Sequence, residues 1–198
     1  MSAVDPWDAA ADGWDDDPAA RAYAGAAFES LVAVLDGFGR SLLGLRVCDF
    51  GCGTGLLTER LVTAGVASVD AVDTSDAMLA ELHAKADRLG WTNVRSSAEI
   101  PTSPGRHDLV VCSSVLAFVP DHPATVARLV ELLAPGGVLI QWDWQLDPDE
   151  AEPYGLTTEA IQTALRTAGL RDVEVGVGFE LPFGDMVMRP LMGVGRKV

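Results

Sequence analysis

The segment DFGCGTG begins with an acid and continues with three glycines at alternate positions. The acid is Asp49 and the glycines are Gly51, Gly53 and Gly55. Glycine loses more backbone entropy on folding than any other residue, so three at alternate positions indicate a turn that a ligand approaches closely. A carboxylate beside the turn repels a phosphate and attracts a cation. The pattern therefore predicts a site for a ligand that carries positive charge.

The turn departs from both common phosphate-binding motifs. A dinucleotide-binding turn has glycine at its first, third and sixth positions, and the sixth position here is Leu56. A P-loop ends in Gly-Lys-Ser/Thr, whereas Gly55 is followed by two leucines and no lysine lies nearby. A second acid, Asp73, comes about twenty residues after the glycines, where it is placed to bind two ribose hydroxyls. The alternative is that Asp73 caps a helix, for which Ser75 is better placed.

Strands and helices alternate along the chain and position these residues. Capped segments with a 3.6-residue apolar period predict helices between the strands. Apolar runs that separate amphipathic helices indicate a parallel sheet with helices on both sides. The last two strands have no helix between them and are expected to pair antiparallel. The predicted strands are 46–50, 68–73, 93–96, 108–112, 138–142, 172–179 and 190–198.

Composition limits the classes of protein and of partner. The chain has 198 residues, of which 48% are hydrophobic, and a net charge of −15. These values predict a globular protein that repels nucleic acid. Acids crowd the first seventeen residues, which are expected to form a solubilising, partly frayed start. The spacing of the three cysteines, Cys48, Cys52 and Cys112, is not that of a zinc site, and we expect them to be free thiols. We also expect a cytoplasmic protein with no targeting segment and no membrane span.

The motif VCDFGCGTG and the segments that follow it in order resemble the class I S-adenosylmethionine-dependent methyltransferases, over about residues 15–198. The resemblance implies a Rossmann-like α/β fold: a seven-stranded, mostly parallel sheet with an antiparallel last strand and helices on both faces. It also implies methyl transfer from S-adenosylmethionine to a small molecule, with S-adenosylhomocysteine as the product. The expected domains are an acidic segment and helix at 1–40 that cover the cofactor site, and a single methyltransferase unit at 41–198.

The resemblance also assigns residues to the cofactor. Asp49 and Gly51 are expected near the methionine amino group, and Gly53 and Gly55 let the backbone approach the cofactor. Asp73 is similar to the family's ribose ligand. The other implied cofactor residues are Thr74 and Met78, Ser97 and Ala98 of SSAEIP, Cys112 and Ser113 of DLVVCSSVLAFVPD, and Trp14 or Tyr23 as an N-terminal aromatic.

Asp143, in the segment QWDWQLDPDE, is the main candidate for a catalytic base. Side chains alternate along a strand, so Trp142 and Trp144 face one way and Asp143 the other. In one interpretation Asp143 is a base or orients the substrate. In the other the tryptophans are core and Asp143 bonds to loop backbone. His122, at the start of a predicted helix, is a second candidate, and no histidine pairs at metal-ligand spacing.

Two other functions remain open at this point. A non-catalytic S-adenosylmethionine-binding protein would keep every cofactor motif, whereas an NAD-dependent oxidoreductase is disfavoured by Asp49 and Leu56. Only the first forty residues and the segment 145–155 are left to cover the site, which favours a compact methyl acceptor. We expect a monomer or homodimer that binds neither nucleic acid nor membrane.

Overall fold

The computed structural model describes residues 6–147, 154–184 and 186–198. These residues form two compact units, Met1–Ile100 and Pro101–Val198. Among the described helices, none is both long enough and apolar enough to cross a membrane. The predicted division at residue 40 stays a prediction, as does the segment 145–155 as a cover, of which residues 148–153 lie outside the described part.

The first unit contains three parallel strands in the order β3-β2-β1. Capping residues set the helix starts: Asp17 accepts a hydrogen bond from the amide of Ala19, and Ser75 from that of Met78. The strands are β1 (Arg46–Phe50), β2 (Ser68–Val72) and β3 (Val94–Ser97). The helices are α1 (Pro6–Ala10), a 3-10 helix (Trp14–Asp16), α2 (Pro18–Gly37), α3 (Leu56–Thr63) and α4 (Asp76–Leu89).

The second unit contains four strands in the order β4-β5-β9-β6. The first two are parallel, and β9 runs antiparallel to both of its neighbours. These strands are β4 (His107–Ser113), β5 (Leu133–Asp143), β6 (Arg171–Val177) and β9 (Leu191–Arg196). The helices are α5 (His122–Leu132) and α6 (Thr158–Thr167), and a separate hairpin pairs β7 (Leu181–Phe183) with β8 (Met186–Met188).

The predicted fold class is confirmed. The two units contribute three and four strands to a Rossmann-like, mostly parallel α/β fold, and the last strand, β9, is antiparallel between β5 and β6. Glycines on β9 allow α6 to pack closely against this strand. A Cβ added at Gly193 would lie 2.5 Å from Cγ2 of Ile161. The β7–β8 hairpin was not predicted, because Pro182 and Gly184 interrupt the alternation that marks a strand.

Candidate functional site

Asp49 lies near the end of β1, and its side chain is 1% exposed. One carboxylate oxygen, Oδ2, accepts a hydrogen bond of 2.6 Å from Oγ1 of Thr58. The other, Oδ1, is buried without a hydrogen-bond partner among the described residues. Burial raises the pKa of Asp49 to about 6, an effect that the Thr58 bond opposes and the charge of Asp73 reinforces. A buried acceptor without a donor is costly, so Oδ1 is suited to a donor that a ligand brings.

The glycine turn follows Asp49 in a backbone conformation that favours glycine. The φ angles of Gly51, Gly53 and Gly55 are 74°, 53° and 86°. Packing alone accounts for Gly55, because an added Cβ would lie 2.3 Å from Cδ1 of Leu82 on α4. At Gly53 the nearest heavy atom to an added Cβ, apart from those of the adjoining residues, would be Sδ of Met78, at 3.8 Å. The backbone at Gly53 is therefore open enough to be approached.

Asp73 connects the glycine turn to the next strand and helix. Its Oδ2 accepts a 2.8 Å hydrogen bond from the amide of Gly53, and its Oδ1 accepts a 3.0 Å bond from the amide of Ser75. Its own amide donates to the carbonyl of Ser97 at the end of β3. A carboxylate oxygen can accept two hydrogen bonds, so each oxygen of Asp73 can accept one more. Its predicted contact with a ribose stays a prediction.

The remaining cofactor residues predicted in the first unit differ in their exposure to solvent. Thr74 and Ala98 are exposed, as is Ser97, whose Oγ accepts a hydrogen bond from the amide of Glu99. Met78, in the first turn of α4, is 3% exposed. The side chains that are accessible to a ligand are thus those of the two loops that follow β2 and β3.

From residue 6 onwards the acidic N-terminal segment contacts the rest of the first unit, where the sequence predicted a solubilising, partly frayed start. Asp8 accepts a 2.6 Å hydrogen bond from Oγ of Ser75, at the N-terminus of α4, where the helix dipole favours an acid. Asp15 accepts a 2.6 Å bond from Oγ1 of Thr54 in the glycine turn and pairs with Lys85. Sequence reasoning missed this contact. The available signal was a lysine on the apolar face of α4, where a buried charge requires a partner.

The two candidate N-terminal aromatics lie in different environments. Trp14 is half-buried in the 3-10 helix, with its ring edge-on to that of Trp7 at a centroid distance of 6.2 Å. Tyr23 is buried on α2. The exposure of Trp14 makes it the better placed of the two to contact a ligand.

Asp143 ends β5 in the second unit and is fully buried. Its Oδ1 accepts a 3.0 Å hydrogen bond from the amide of Ala117, in the loop after β4. Its Oδ2 accepts a 2.9 Å bond from Nε2 of Gln141. Burial raises the pKa of Asp143 to about 7, while the bonds to Ala117, Gln141 and Leu116 oppose the shift. Its role as a base stays a prediction.

Gln141 lies between Asp143 and His122, and sequence reasoning missed it. His122 is the first residue of α5 and is buried. Burial lowers the pKa of His122, and its contact with Gln141 and the charge of Asp121 oppose this effect. The signal was available in the sequence, because residues two apart on a strand share a face, and Gln141 and Asp143 are polar in an otherwise apolar run.

The side chains of the three cysteines are buried. Burial, reinforced by nearby carboxylates, raises the pKa of the Cys48 and Cys52 thiols, which therefore stay protonated at neutral pH. Cys112 is buried on β4 and Ser113 is half-buried at its end. The described residues include no group of three or more His, Cys, Asp or Glu that could hold a metal ion.

Residues 48–141 match a family model described as a methyltransferase domain. A ubiquinone biosynthesis O-methyltransferase from Psychrobacter cryohalolentis is 38% identical over 105 residues, which are 50% of this chain and 40% of that protein. A trans-aconitate 2-methyltransferase from Deinococcus radiodurans is 43% identical over 96 residues, 48% of this chain and 36% of that protein. The chain thus spans about two fifths of the length of these curated relatives.

A solved structure shows the same fold. Magnesium protoporphyrin IX methyltransferase from Synechocystis, with bound S-adenosylmethionine, superposes with a TM-score of 0.69 at 23% identity, and the match covers 100% of both chains. The glycine turn that follows Asp49 lies within the matched domain. The predicted resemblance is supported: residues 48–141 match a methyltransferase domain, and the fold is that of a solved S-adenosylmethionine-binding methyltransferase.

Proposed function

We propose that this protein transfers the methyl group of S-adenosylmethionine to a small-molecule acceptor and releases S-adenosylhomocysteine. The observation that carries the proposal is the buried Oδ1 of Asp49, which lacks a hydrogen-bond donor among the described residues. An ammonium group satisfies such an oxygen and neutralises the charge. The methionine part of S-adenosylmethionine carries an ammonium group, and its sulfonium supplies the electrophilic methyl.

The residues around the glycine turn fit the rest of the cofactor. Asp73 is half-buried and keeps acceptor capacity for ribose hydroxyls, next to a backbone at Gly53 that is open to approach. The contacts of Asp8 with Ser75 and of Asp15 with Thr54 support the proposal that the acidic N-terminal segment covers this site. In the second unit, Cys112 and Ser113 remain proposed contacts of the methionine part.

The acceptor in our proposal is a small molecule, neither nucleic acid nor membrane. The net charge of −15 repels polyanions, and the named relatives act on compounds such as trans-aconitate or, in the solved structure, magnesium protoporphyrin IX. The burial of the cysteines, in an odd number without zinc-site spacing, is consistent with the reducing, cytoplasmic location that we expect. A monomer or homodimer remains our expectation.

Methyl transfer needs alignment and exclusion of water more than a fixed set of catalytic groups. A base is required only when the acceptor keeps its proton. Asp143 is the proposed base, because a carboxyl pKa of about 7 lies near neutral pH, where base catalysis is most effective. His122 is the alternative.

Calorimetry and product release test the proposal together. S-adenosylhomocysteine should bind and NAD should not. Asp49→Asn keeps the bond with Thr58 but removes the charge, and it should weaken binding about 10- to 100-fold, the worth of one charged hydrogen bond. Asp87→Asn, on the exposed face of α4, is the matched control. Binding of NAD in place of S-adenosylhomocysteine contradicts the proposal, and cofactor binding without product release from any acceptor indicates a non-catalytic binding protein.

A further inference from the structure

Two large aromatic side chains in the second unit stack on each other at the surface. The ring centroids of Phe118 and Tyr154 are 6.1 Å apart, and the ring planes meet at 23°. The two residues remain 45% and 49% exposed. Exposed apolar rings forgo the stabilisation that removal from water would give. A ligand that covers them supplies it, so an exposed apolar patch indicates a binding surface.

The backbone beside Phe118 is bound to the end of β5. Asp143 accepts a hydrogen bond from the amide of Ala117, the residue that precedes Phe118. On the other side of Ala117, the side chain of Leu116 is 1% exposed and anchors the loop in the core. A buried carboxylate and a buried leucine therefore fix the loop from which the Phe118 ring projects.

The backbone beside Tyr154 is bound to the residues that follow Asp143. The amide of Leu156 donates a 2.8 Å hydrogen bond to the carbonyl of Trp144, and the amide of Leu146 donates a 3.0 Å bond to the carbonyl of Leu156. Gly155 makes this approach possible. Its φ is 117°, and an added Cβ would lie 2.6 Å from the carbonyl oxygen of Trp144.

Consecutive residues at the carboxyl end of β5 thus position both rings, Asp143 on one side and Trp144 on the other. The carboxyl ends of parallel strands are where open α/β folds bind their ligands. Rings that are fixed before binding lose little entropy when a ligand stacks on them. Stacking is strongest for a flat aromatic ring, whereas a puckered or extended aliphatic molecule gains less.

We propose that Phe118 and Tyr154 contact the methyl acceptor and select a flat aromatic compound. That the bound compound is a methyl acceptor rests on the proposed function. That it is a flat aromatic compound rests on the geometry of the two rings. The acidic chain further disfavours acceptors with several negative charges, such as tricarboxylates.

The test compares two probes that differ in flatness. Naphthalene-2,3-diol and decahydronaphthalene-2,3-diol are titrated calorimetrically into the full chain, with and without saturating S-adenosylhomocysteine. We expect the aromatic diol to bind at least about tenfold more tightly, as aromatic contacts of this kind predict. Phe118→Leu and Tyr154→Leu should each remove most of this preference. Phe118→Tyr and Tyr154→Phe, which keep a ring, should retain it.

Phe183→Leu is the matched control, because Phe183 is an exposed phenylalanine of the β7–β8 hairpin in the same unit. It should leave the preference unchanged. Equal affinity for the two diols, or an equal effect of Phe118→Leu and Phe183→Leu, would overturn the inference. Turnover of trans-aconitate without binding of the aromatic diol would overturn it while the proposed methyl transfer stands. Failure of S-adenosylhomocysteine to bind contradicts the proposed function, and the titrations without it still measure the preference for the aromatic diol.

Discussion

Nζ of Lys85 lies 2.6 Å from Oδ2 of Asp15, and only 3% of the Lys85 side chain is exposed. The other carboxylate oxygen of Asp15 accepts the hydroxyl of Thr54 from the glycine turn. One acid of the N-terminal segment therefore connects α4 with the turn proposed to bind the cofactor. The second counterion of Lys85, Oε2 of Glu59, lies farther away at 3.8 Å, so loss of the Asp15 contact should destabilise the buried ammonium measurably.

Asp15→Asn should lower the free energy of unfolding by about 1–2 kcal/mol. The full cost of a broken buried pair is larger, but Asp15 is 35% exposed, so water screens part of the loss. Urea unfolding measures the change. Asp16→Asn, in the same 3-10 helix and exposed, should stay within about 0.5 kcal/mol of the unchanged protein. Equal effects of the two substitutions would show that the Lys85 contact contributes no stability.

Asp73→Ala should weaken binding of S-adenosylhomocysteine by about 2–4 kcal/mol. The loss has two sources, the proposed bonds to the ribose and the bonds from the amides of Gly53 and Ser75 that shape the turn. Asp73→Asn keeps a carbonyl oxygen for one amide and should lose less. Calorimetry on the folded variants measures both, with the exposed Asp76→Ala as the control. Unchanged affinity of Asp73→Ala would mean that the ribose is bound elsewhere.

Local signals were sufficient to predict the elements of the fold. The strand at 46–50 was predicted with the bounds of β1, because an apolar run ends there at a glycine turn. Asp17, Ser75 and Thr157 cap the helices that follow them, and a cap can be recognised from sequence because its bond to an amide spans only two or three residues.

Contacts between distant parts of the chain were not predicted. Asp15 and Thr54 are 39 residues apart, and no periodicity relates them. The pairing of Phe118 with Tyr154 depends on two loops that separately approach the end of β5. Gly155 was a visible signal, but its close approach to Trp144 is a property of the folded backbone.

The stability of the protein should depend on pH through Asp143. Its pKa is about 7 in the folded protein and about 3.9 in an unfolded chain, so the folded form retains its proton as pH rises from about 4 to 7. Ionisation then favours the unfolded state, and stability falls by up to about 1.4 kcal/mol per pH unit from this group, with no further loss above pH 7.

Asp143→Asn should remove this contribution. Asp49, with a pKa of about 6, titrates in the same direction in both proteins, so the difference between them isolates Asp143. Urea unfolding from pH 5 to 8 measures that difference, which should narrow or change sign as pH rises. Parallel pH profiles of the two proteins would contradict the raised pKa of Asp143.

The same substitution separates catalysis from positioning at the end of β5. In Asp143→Asn the side-chain oxygen still accepts the amide of Ala117, and rotation of the Gln141 amide preserves the second bond, so folding at neutral pH and cofactor affinity should change little. If Asp143 is the general base, turnover at saturating acceptor should fall by about 10²–10⁴.

If Asp143 instead fixes the loop of Phe118, Asp143→Asn should retain turnover. Asp143→Ala, which removes the acceptor for Ala117, should then raise the apparent KM for an aromatic acceptor. Measurement of kcat and KM for both variants distinguishes these roles, and equal loss of kcat in the two variants would show that the charge itself is required.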